Sequence, residues 1–360
     1  MFLALDNISV KSGGEYILRD ITLHIQKGEQ WAVTGPSGSG KTTLAKVMAG
    51  TIFFHGSRRF ENNRQPSIVL VEQQHRFRNL SNTNDFYYQQ RFNSFDAENS
   101  LTTLQALEDF TGKKGSDQEV LELISLLHLE PILQKPLIQL SNGENKRLQL
   151  AEALALRPEL LILDNPFTGL DTEGRSILHR IINTIAASGT QLILVTSPDG
   201  LPSCISHIAV LKEGHLESFL RNDFEKPDPD KPISFIPLPK NVPETSKHGF
   251  ALAIKMVNVS VKYADKTVLD QINWEVKRGE CWSISGPNGA GKSTLLSLIN
   301  ADNPQAYANE IYLFDKRRGR GESIWDIKKM TGYVSPELHL NFDAGSNCFN
   351  IVASGLFDTI

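Results

Sequence analysis

Four short, almost wholly apolar runs punctuate the chain: WAVT at 31–34, LLILD at 160–164, QLILVT at 191–196 and WSIS at 282–285. Runs of this length and composition are typical of strands buried in a parallel sheet. Helical stretches follow the first and last runs after a glycine-rich loop, and another helix is predicted over 142–156, ending before Pro158. The pattern predicts an α/β fold with a parallel sheet.

The chain also repeats itself. Residues 7–44 align without a gap with residues 258–295, and 16 of these 38 positions are identical. The identities extend well upstream of the glycine-rich loop, to pairs such as Trp31 and Trp282, so the chance recurrence of a short motif does not explain them. A repeat of this kind predicts two domains of the same fold.

A proline-rich stretch separates the two repeats. Residues 223–248 contain six prolines and many charges, as expected of an extended, semi-rigid linker. We therefore predict a first domain at 1–222, a linker at 223–250 and a second domain at 251–360. The equivalents of residues 140 and 160 would fall near 392 and 412, so the second domain is predicted to contain only its N-terminal half.

Composition and charge narrow the function classes. A formal net charge of −4 gives no reason to expect broad affinity for nucleic acid or anionic membranes. The three cysteines are far apart and form no CxxC pair, which favours free thiols in a reducing compartment over a disulfide framework or a zinc site. The sequence shows no secretion leader and no apolar run long enough to span a bilayer, so we expect a cytoplasmic location.

Two glycine-rich loops carry the candidate chemistry. GPSGSGKT at 35–42 and GPNGAGKS at 286–293 both fit the P-loop pattern between a strand-like run and a helical stretch. Backbone N–H groups of such a loop wrap a phosphate, and the lysine reaches the β- and γ-phosphates of a nucleotide. The predicted nucleotide-binding residues are Gly35, Pro36, Ser37, Gly38, Ser39, Gly40, Lys41, Thr42 and Thr43, and in the second repeat Gly286, Pro287, Asn288, Gly289, Ala290, Gly291, Lys292, Ser293 and Thr294.

A metal site accompanies the first loop. Asp164 ends the apolar run LLILD, and a carboxylate at the C-terminal end of such a strand lies beside a P-loop. There it can help to hold Mg²⁺ together with the Thr42 hydroxyl, and Ser293 is the equivalent hydroxyl of the second loop.

The stretch LSNGENKRLQLAEALALRPELLILDNP at 140–166 resembles the signature motif, helix and Walker B strand of the ATP-binding cassette (ABC) family. TGLD at 168–171 is similar to the D-loop of that family, and Gln73 lies where its Q-loop glutamine is found. The resemblance implies a P-loop NTPase fold in which a parallel sheet core carries an antiparallel β-subdomain and a helical signature subdomain. It also implies ATP as the ligand with Mg²⁺.

The same resemblance assigns further residues. Ser141 and Gly143 match the signature residues that contact ATP held by an opposing cassette, which implies head-to-tail pairing of cassettes within or between chains. Gln73 and Asp164 match the metal-side and catalytic positions. Tyr263 occupies the column of the aromatic that stacks on adenine, whereas the first repeat has Ser12 there, with Tyr16 as a candidate substitute.

Departures from the family pattern concern hydrolysis. The carboxylate expected after Asp164 is Asn165, and an amide cannot accept a proton from water. No histidine follows QLILVT, where Ser197 and Pro198 stand instead, and the Q-loop column of the second repeat has Pro336. These residues predict an ATPase of the ABC class that binds nucleotide but turns it over slowly.

Three functions fit these observations. The leading hypothesis is coupling of ATP-driven cassette closure to a separate membrane-spanning transporter subunit. The second is a tandem cassette that acts on nucleic acid or ribosomes, but the short, proline-broken linker argues against it, and nucleic acid is not an expected partner. The third is a non-catalytic, ATP-dependent interaction module, which Asn165 makes credible.

Overall fold

The structure is a computed structural model that describes residues 1–73, 100–137, 140–225, 249–263, 266–287, 289–300, 303–334 and 346–355. It separates into two compact units, Met1–Lys231 and Pro232–Ile360. Within the described ranges, no helix is long and apolar enough to cross a membrane. The three cysteines, Cys204, Cys281 and Cys348, are free thiols.

The first unit is built around a six-stranded sheet in the order β5-β6-β7-β3-β8-β9. Neighbouring strands are parallel from β5 to β8, and β9 is antiparallel at the edge. Both faces of the central strands are buried, and the side chains are apolar except for Thr34, Asp164 and Gln191 at the strand ends. The bounds are β3 (Trp31–Thr34), β5 (Ile68–Val71), β6 (Leu160–Asp164), β7 (Gln191–Val195), β8 (His207–Lys212) and β9 (His215–Leu220).

A smaller antiparallel sheet packs on the same core. Its order is β2-β1-β4, and its strands are β1 (Leu3–Ser12), β2 (Glu15–Ile25) and β4 (His55–Phe60). Leu3, Leu5 and Ile8 of β1 are fully buried and join the cluster that also contains Trp31 and Val33. The two sheets therefore share one core around the strand that leads into the first P-loop.

Helices cover the remaining faces of the first unit. They are α1 (Lys41–Ala49), α2 (Thr103–Thr111), α3 (Gln118–Leu127), α4 (Asn142–Ala155) and α5 (Thr172–Ala187), with 3-10 turns at Glu61–Asn63, Glu130–Ile132 and Arg221–Asp223. The helix predicted over 142–156 is α4, which ends one residue earlier. Pro158 follows two residues after the C-cap Leu156, where it cannot interrupt the helical hydrogen bonds.

The second unit contains a four-stranded sheet in the order β11-β10-β12-β13, all antiparallel. Its elements are β10 (Leu252–Tyr263), β11 (Lys266–Lys277), β12 (Glu310–Leu313), β13 (Lys316–Arg317), α6 (Lys292–Ile299), α7 (Ile324–Lys328), α8 (Cys348–Ser354) and a 3-10 helix at Pro304–Ala308. This sheet corresponds to the small antiparallel sheet of the first unit.

The expectation of a strand at WSIS is wrong in this structure. Residues 280–287 form no regular secondary structure, whereas the equivalent residues of the first repeat form β3. A central parallel strand needs a hydrogen-bonding neighbour on each side, and the described part of the second unit has no strand equivalent to β7 or β8. As a consequence Trp282 and Ile284 are 57% and 36% exposed.

Candidate functional site

The first P-loop forms a cradle that only glycine allows at two positions. At Gly35 the backbone has φ +140°, and a Cβ would lie 2.1 Å from the carbonyl oxygen of Leu211. At Gly40, where φ is +99°, a Cβ would lie 3.0 Å from side-chain atoms of both Ile17 and Leu18. The loop is thus pressed between β8 and β2, which the absence of a Cβ at these two glycines permits.

Lys41 begins helix α1 and folds back over the loop. Its Nζ donates to the carbonyl oxygens of Gly35 at 2.9 Å and Pro36 at 2.7 Å. Burial lowers the pKa of Lys41, and the negative charge of Asp164 opposes that shift. The ammonium group is therefore held at the mouth of the cradle, next to where a phosphate would lie.

Other loop residues differ in exposure. Ser39 is buried, and among the described residues its Oγ has no hydrogen-bond partner. Pro36, Ser37 and Gly38 are exposed, and Thr43 is half-buried on the side of the loop that faces β1 and β2. The unpartnered hydroxyl and the glycine cradle both fit a bound phosphate chain.

Thr42 and Asp164 meet across the sheet edge. The Thr42 Oγ1 donates to Asp164 Oδ2 at 2.7 Å, although the two residues are 122 positions apart. Burial raises the pKa of Asp164, the Thr42 hydrogen bond lowers it, and the charge of Glu72 raises it again. A hydroxyl and a carboxylate oxygen in contact are the donor types that Mg²⁺ prefers, so these residues fit the implied metal.

Gln73 and Asn165 complete this cluster. The Asn165 Nδ2 donates to Asp164 Oδ1 at 2.9 Å and to Gln73 Oε1 at 3.3 Å. Asn165 itself has φ 47°, a left-handed backbone conformation that asparagine tolerates better than most residues, and its N–H donates to the Val195 carbonyl. The structure therefore brings Thr42, Gln73, Asp164 and Asn165 together, as the motifs suggested.

Lys146, on the inner face of α4, is a site neighbour that the sequence analysis missed. Its Nζ donates to the carbonyl oxygens of Glu72 at 3.1 Å and Gln73 at 2.9 Å, and to Gln149 Oε1 at 2.9 Å. Burial lowers its pKa to about 8, against an opposing contribution from Asp164. The available signal was a lysine between Leu140 and Leu148 on a helix whose inner face is otherwise apolar or amide-bearing.

The signature residues lie at the start of α4. Ser141 caps the helix by accepting from the Glu144 N–H at 3.3 Å, and Glu144 in turn accepts from the Ser141 N–H at 2.6 Å. Lys135 donates to Glu144 at 2.8 Å. A Cβ at Gly143 would lie 3.5 Å from Leu170, so this glycine is directly below the loop at 168–171.

The second P-loop repeats the local geometry of the first. Lys292 Nζ donates to the carbonyl oxygens of Gly286 at 2.6 Å and Pro287 at 2.8 Å. Gly289 and Gly291 have φ 82° and 88°, the left-handed values also found at Gly38 and Gly40.

No carboxylate takes the place of Asp164 in this loop. Ser293 is exposed, and within the described ranges of the second unit no carboxylate contacts it. Thr294 is buried under the helix and Ala290 is exposed. Asn288 and the Q-loop position Pro336 lie outside the described residues.

Tyr263 ends strand β10, and its hydroxyl accepts from Asn303 Nδ2 at 2.9 Å. In the first repeat Ser12 is exposed at the end of β1, and Tyr16 is on β2 opposite Lys11.

His207, the nearest histidine after β7, stacks on Trp31 with ring centroids 4.7 Å apart. That position is at the start of β8, at the opposite end of the strand from the first P-loop.

Known proteins resemble this chain in sequence. A family model described as ABC transporter matches residues 18–168 and 269–347. The chain is 34% identical to the ABC transporter ATP-binding protein ModF of Escherichia coli K12, over 94% of this chain and 70% of ModF.

Two further comparisons add a fungal relative and a solved structure. The chain is 32% identical to an uncharacterized ABC transporter ATP-binding protein of Schizosaccharomyces pombe, over 94% of this chain and 72% of that protein. A nucleotide-free ATP-binding cassette from an ABC transporter superposes with TM-score 0.47 and 21% identity, over 61% of this chain and 91% of its own.

Proposed function

This chain belongs to the ABC transporter family, and on that premise we propose that its first domain, residues 1–222, binds ATP with Mg²⁺ and hydrolyses it slowly. The observation that carries the proposal is the contact of Thr42 with Asp164 at 2.7 Å beside the Lys41 cradle. A P-loop hydroxyl and a strand-end carboxylate in contact are what a Mg²⁺–nucleotide site requires.

Each side chain has a defined part in binding. Lys41 would place its positive charge against the β- and γ-phosphates, exchanging its two loop carbonyl bonds for phosphate oxygens. Thr42 and Asp164 would hold Mg²⁺, with Gln73 next to them through Asn165. When bound, Mg²⁺ neutralises part of the negative charge of the phosphates.

Slow turnover follows from Asn165. It lies one residue beyond Asp164, where it donates both of its described side-chain hydrogen bonds to neighbouring oxygens. A carboxamide can orient water but cannot take up its proton, and loss of a general base typically lowers a rate by about 10²–10⁴-fold. The site is therefore proposed to hold ATP much longer than a carboxylate-bearing site would.

The proposed role of binding is mechanical. A domain that closes on ATP and reopens only slowly suits the coupling of cassette closure to a membrane-spanning transporter subunit carried by another chain. This role would place the protein in the cytoplasm, peripheral to the inner face of the membrane. We further propose that this transporter system is molybdate-related.

A second candidate is a non-catalytic ATP-dependent clamp, and Asn165 is the observation that favours it. If hydrolysis contributes nothing, ATP would act as a ligand that stabilises the closed pair of cassettes. The two candidates differ in one measurable quantity, which is the rate of a single turnover.

The deciding experiment measures ATP affinity and single-turnover hydrolysis for the unmodified chain, Asn165→Glu and Asn165→Gln. The glutamine variant is the matched control, because it has the length of glutamate without the charge and meets the same left-handed backbone. We expect tight binding with negligible turnover in the unmodified chain and in Asn165→Gln, and partial recovery of turnover in Asn165→Glu.

Other results would change the assignment. Binding with no recovery in Asn165→Glu would favour the non-catalytic clamp. Rapid turnover by the unmodified chain would contradict the role given to Asn165. Failure to bind ATP at all would refute the proposed function.

A further inference from the structure

The first nucleotide site lacks an aromatic residue at the position where the second repeat has Tyr263. Ser12 stands there, at the exposed end of β1. A P-loop fixes only the phosphates of a nucleotide, so the base must find its contacts elsewhere. The question is which residue of the first domain provides a stacking surface.

Tyr16 is poorly suited to stack on a nucleotide base. Lys11 Nζ lies 4.2 Å from the centroid of its ring, and the Arg19 guanidinium lies 5.7 Å away. Two cations thus already engage the aromatic ring. Tyr16 also lines a cavity with Gly38, Ser39 and Gly214, on the β8–β9 side of the loop.

A separate cavity of about 420 Å³ opens on the other side of the loop, large enough for a purine nucleoside. Its walls include Ser12, Ile17, Thr43, Lys46, Phe53 and His55. Thr43 is the residue after the phosphate-binding Thr42, so this cavity adjoins the phosphate cradle directly. The nucleoside end of a bound nucleotide therefore has a place here.

Phe53 stands out in this cavity. It is 81% exposed, while its neighbours Ile52 and Phe54 are partly buried and pack on the core. In the described part of the chain its one ring contact is with His55, edge-on, with centroids 5.3 Å apart at 85°. The residues on both sides are held by the core, yet the phenyl ring is largely exposed to solvent.

In the second repeat, the segment after the P-loop helix touches the residue that ends the first strand. Asn303 Nδ2 donates to the hydroxyl of Tyr263 at 2.9 Å. With the offset of 251 residues, Asn303 aligns with Ile52, one residue before Phe53. The corresponding segments of the first repeat also lie close together, because Ser12 and Phe53 line the same cavity.

We propose that Phe53 is the base-stacking residue of the first nucleotide site and that the cavity between Ile17 and Phe53 receives the purine of ATP. This inference rests on the proposed function, because the phosphates must lie in the P-loop for the base to reach the cavity. Stacking on Phe53 contributes to the affinity for the base and leaves the affinity for the phosphates unchanged.

The test uses two probes, ATP and inorganic tripolyphosphate, which has the phosphates but no base. Dissociation constants are measured by calorimetry on the full chain in a Lys292→Ala background, which removes the lysine of the second loop. The variants are Phe53→Ala, Phe53→Trp as the conservative replacement, and Tyr16→Ala as the matched aromatic control.

We expect Phe53→Ala to weaken ATP binding about tenfold and to leave tripolyphosphate binding within about twofold. Phe53→Trp should retain the ATP affinity, and Tyr16→Ala should leave the ratio of the two constants unchanged. If Phe53→Ala weakens the binding of ATP and of tripolyphosphate equally, or weakens neither, the proposal is overturned. A selective loss of ATP affinity in Tyr16→Ala would overturn it as well. In each of these cases the chain still binds ATP, so the proposed function stands. If neither probe binds, the proposed function fails and this inference fails with it.

Discussion

The two P-loops of this chain are nearly the same in sequence and in local geometry, but they sit in different surroundings. In both, the lysine donates to the first two loop carbonyls. In both, a tryptophan four residues before the loop donates to a nearby glutamate: Trp31 to Glu29 at 3.1 Å and Trp282 to Glu280 at 3.0 Å. Yet Trp31 is 4% exposed on a central strand, and Trp282 is 57% exposed on a segment with no regular structure.

The difference shows which properties of the site are local. Loop shape and lysine position follow from a short stretch of glycines, because they recur without a surrounding sheet. The burial of the strand before the loop and the contact of the loop with a carboxylate do not follow from that stretch. They depend on β7, β8 and Asp164, which come from residues far along the first domain. We therefore expect the first loop to carry most of the nucleotide affinity and most of the stability.

The largest expected contrast concerns the two tryptophans. Trp31→Ala should lower the free energy of unfolding of the first unit by about 4 kcal/mol, because a large buried ring stacked on His207 is lost. Trp282→Ala should cost less than about 1 kcal/mol, since the ring is mostly in solvent. Urea unfolding followed by circular dichroism measures both, and similar losses would mean that Trp282 is buried in solution.

The next contrast concerns the two lysines. Lys41→Ala should weaken ATP binding about 100-fold, because a charge-assisted contact with the phosphates is lost at the loop that also holds Thr42 and Asp164. Lys292→Ala should change the overall affinity less than about threefold. Calorimetric titration measures both, with exposed Lys27→Ala as the charge-matched control, and a larger effect at Lys292 would reverse the ranking of the two loops.

The smallest expected effect is a pH dependence of stability in the first unit. It comes from Lys146, which has no counterpart in the described part of the second unit. Its pKa is about 8 when folded, against an ordinary 10.5, so between these values the unfolded chain binds more protons. Stability should therefore rise with pH across that window, by up to about 1.4 kcal/mol per pH unit. Lys146→Met should lower this slope in urea titrations at pH 8, 9 and 10, and an unchanged slope would contradict the role of Lys146.

Features that depend on short stretches were predictable from the sequence. Helix α4 is expected over 142–156 and is found at Asn142–Ala155, because its cap Ser141 and the stop at Pro158 are local signals. The meeting of Thr42 and Asp164 was also predictable, because strand ends gather at one edge of a parallel sheet.

Features that depend on distant partners were not predictable. The apolar runs WSIS and WAVT look alike, but only WAVT forms a strand. Whether such a run forms a strand depends on hydrogen-bonding neighbours, and the hydrophobic pattern of the run does not record them. Lys146 gave only a weak signal, since a lysine on a helix is usually solvated, whereas here it binds carbonyl groups 73 and 74 positions away. Phe53 is noticed only when its exposure is measured.

The placement of β3 between β7 and β8 also bears on how the protein is made. Gln30, just before β3, donates to Ser206, 176 residues further along the chain. At ordinary elongation rates the ribosome needs roughly 10–35 s to synthesise that interval, and for most of it the strand leading into the first P-loop has no parallel neighbour on either side. The newborn first repeat should then resemble the second repeat as seen here, with its tryptophan in solvent, and that interval is when a chaperone would have the most to protect.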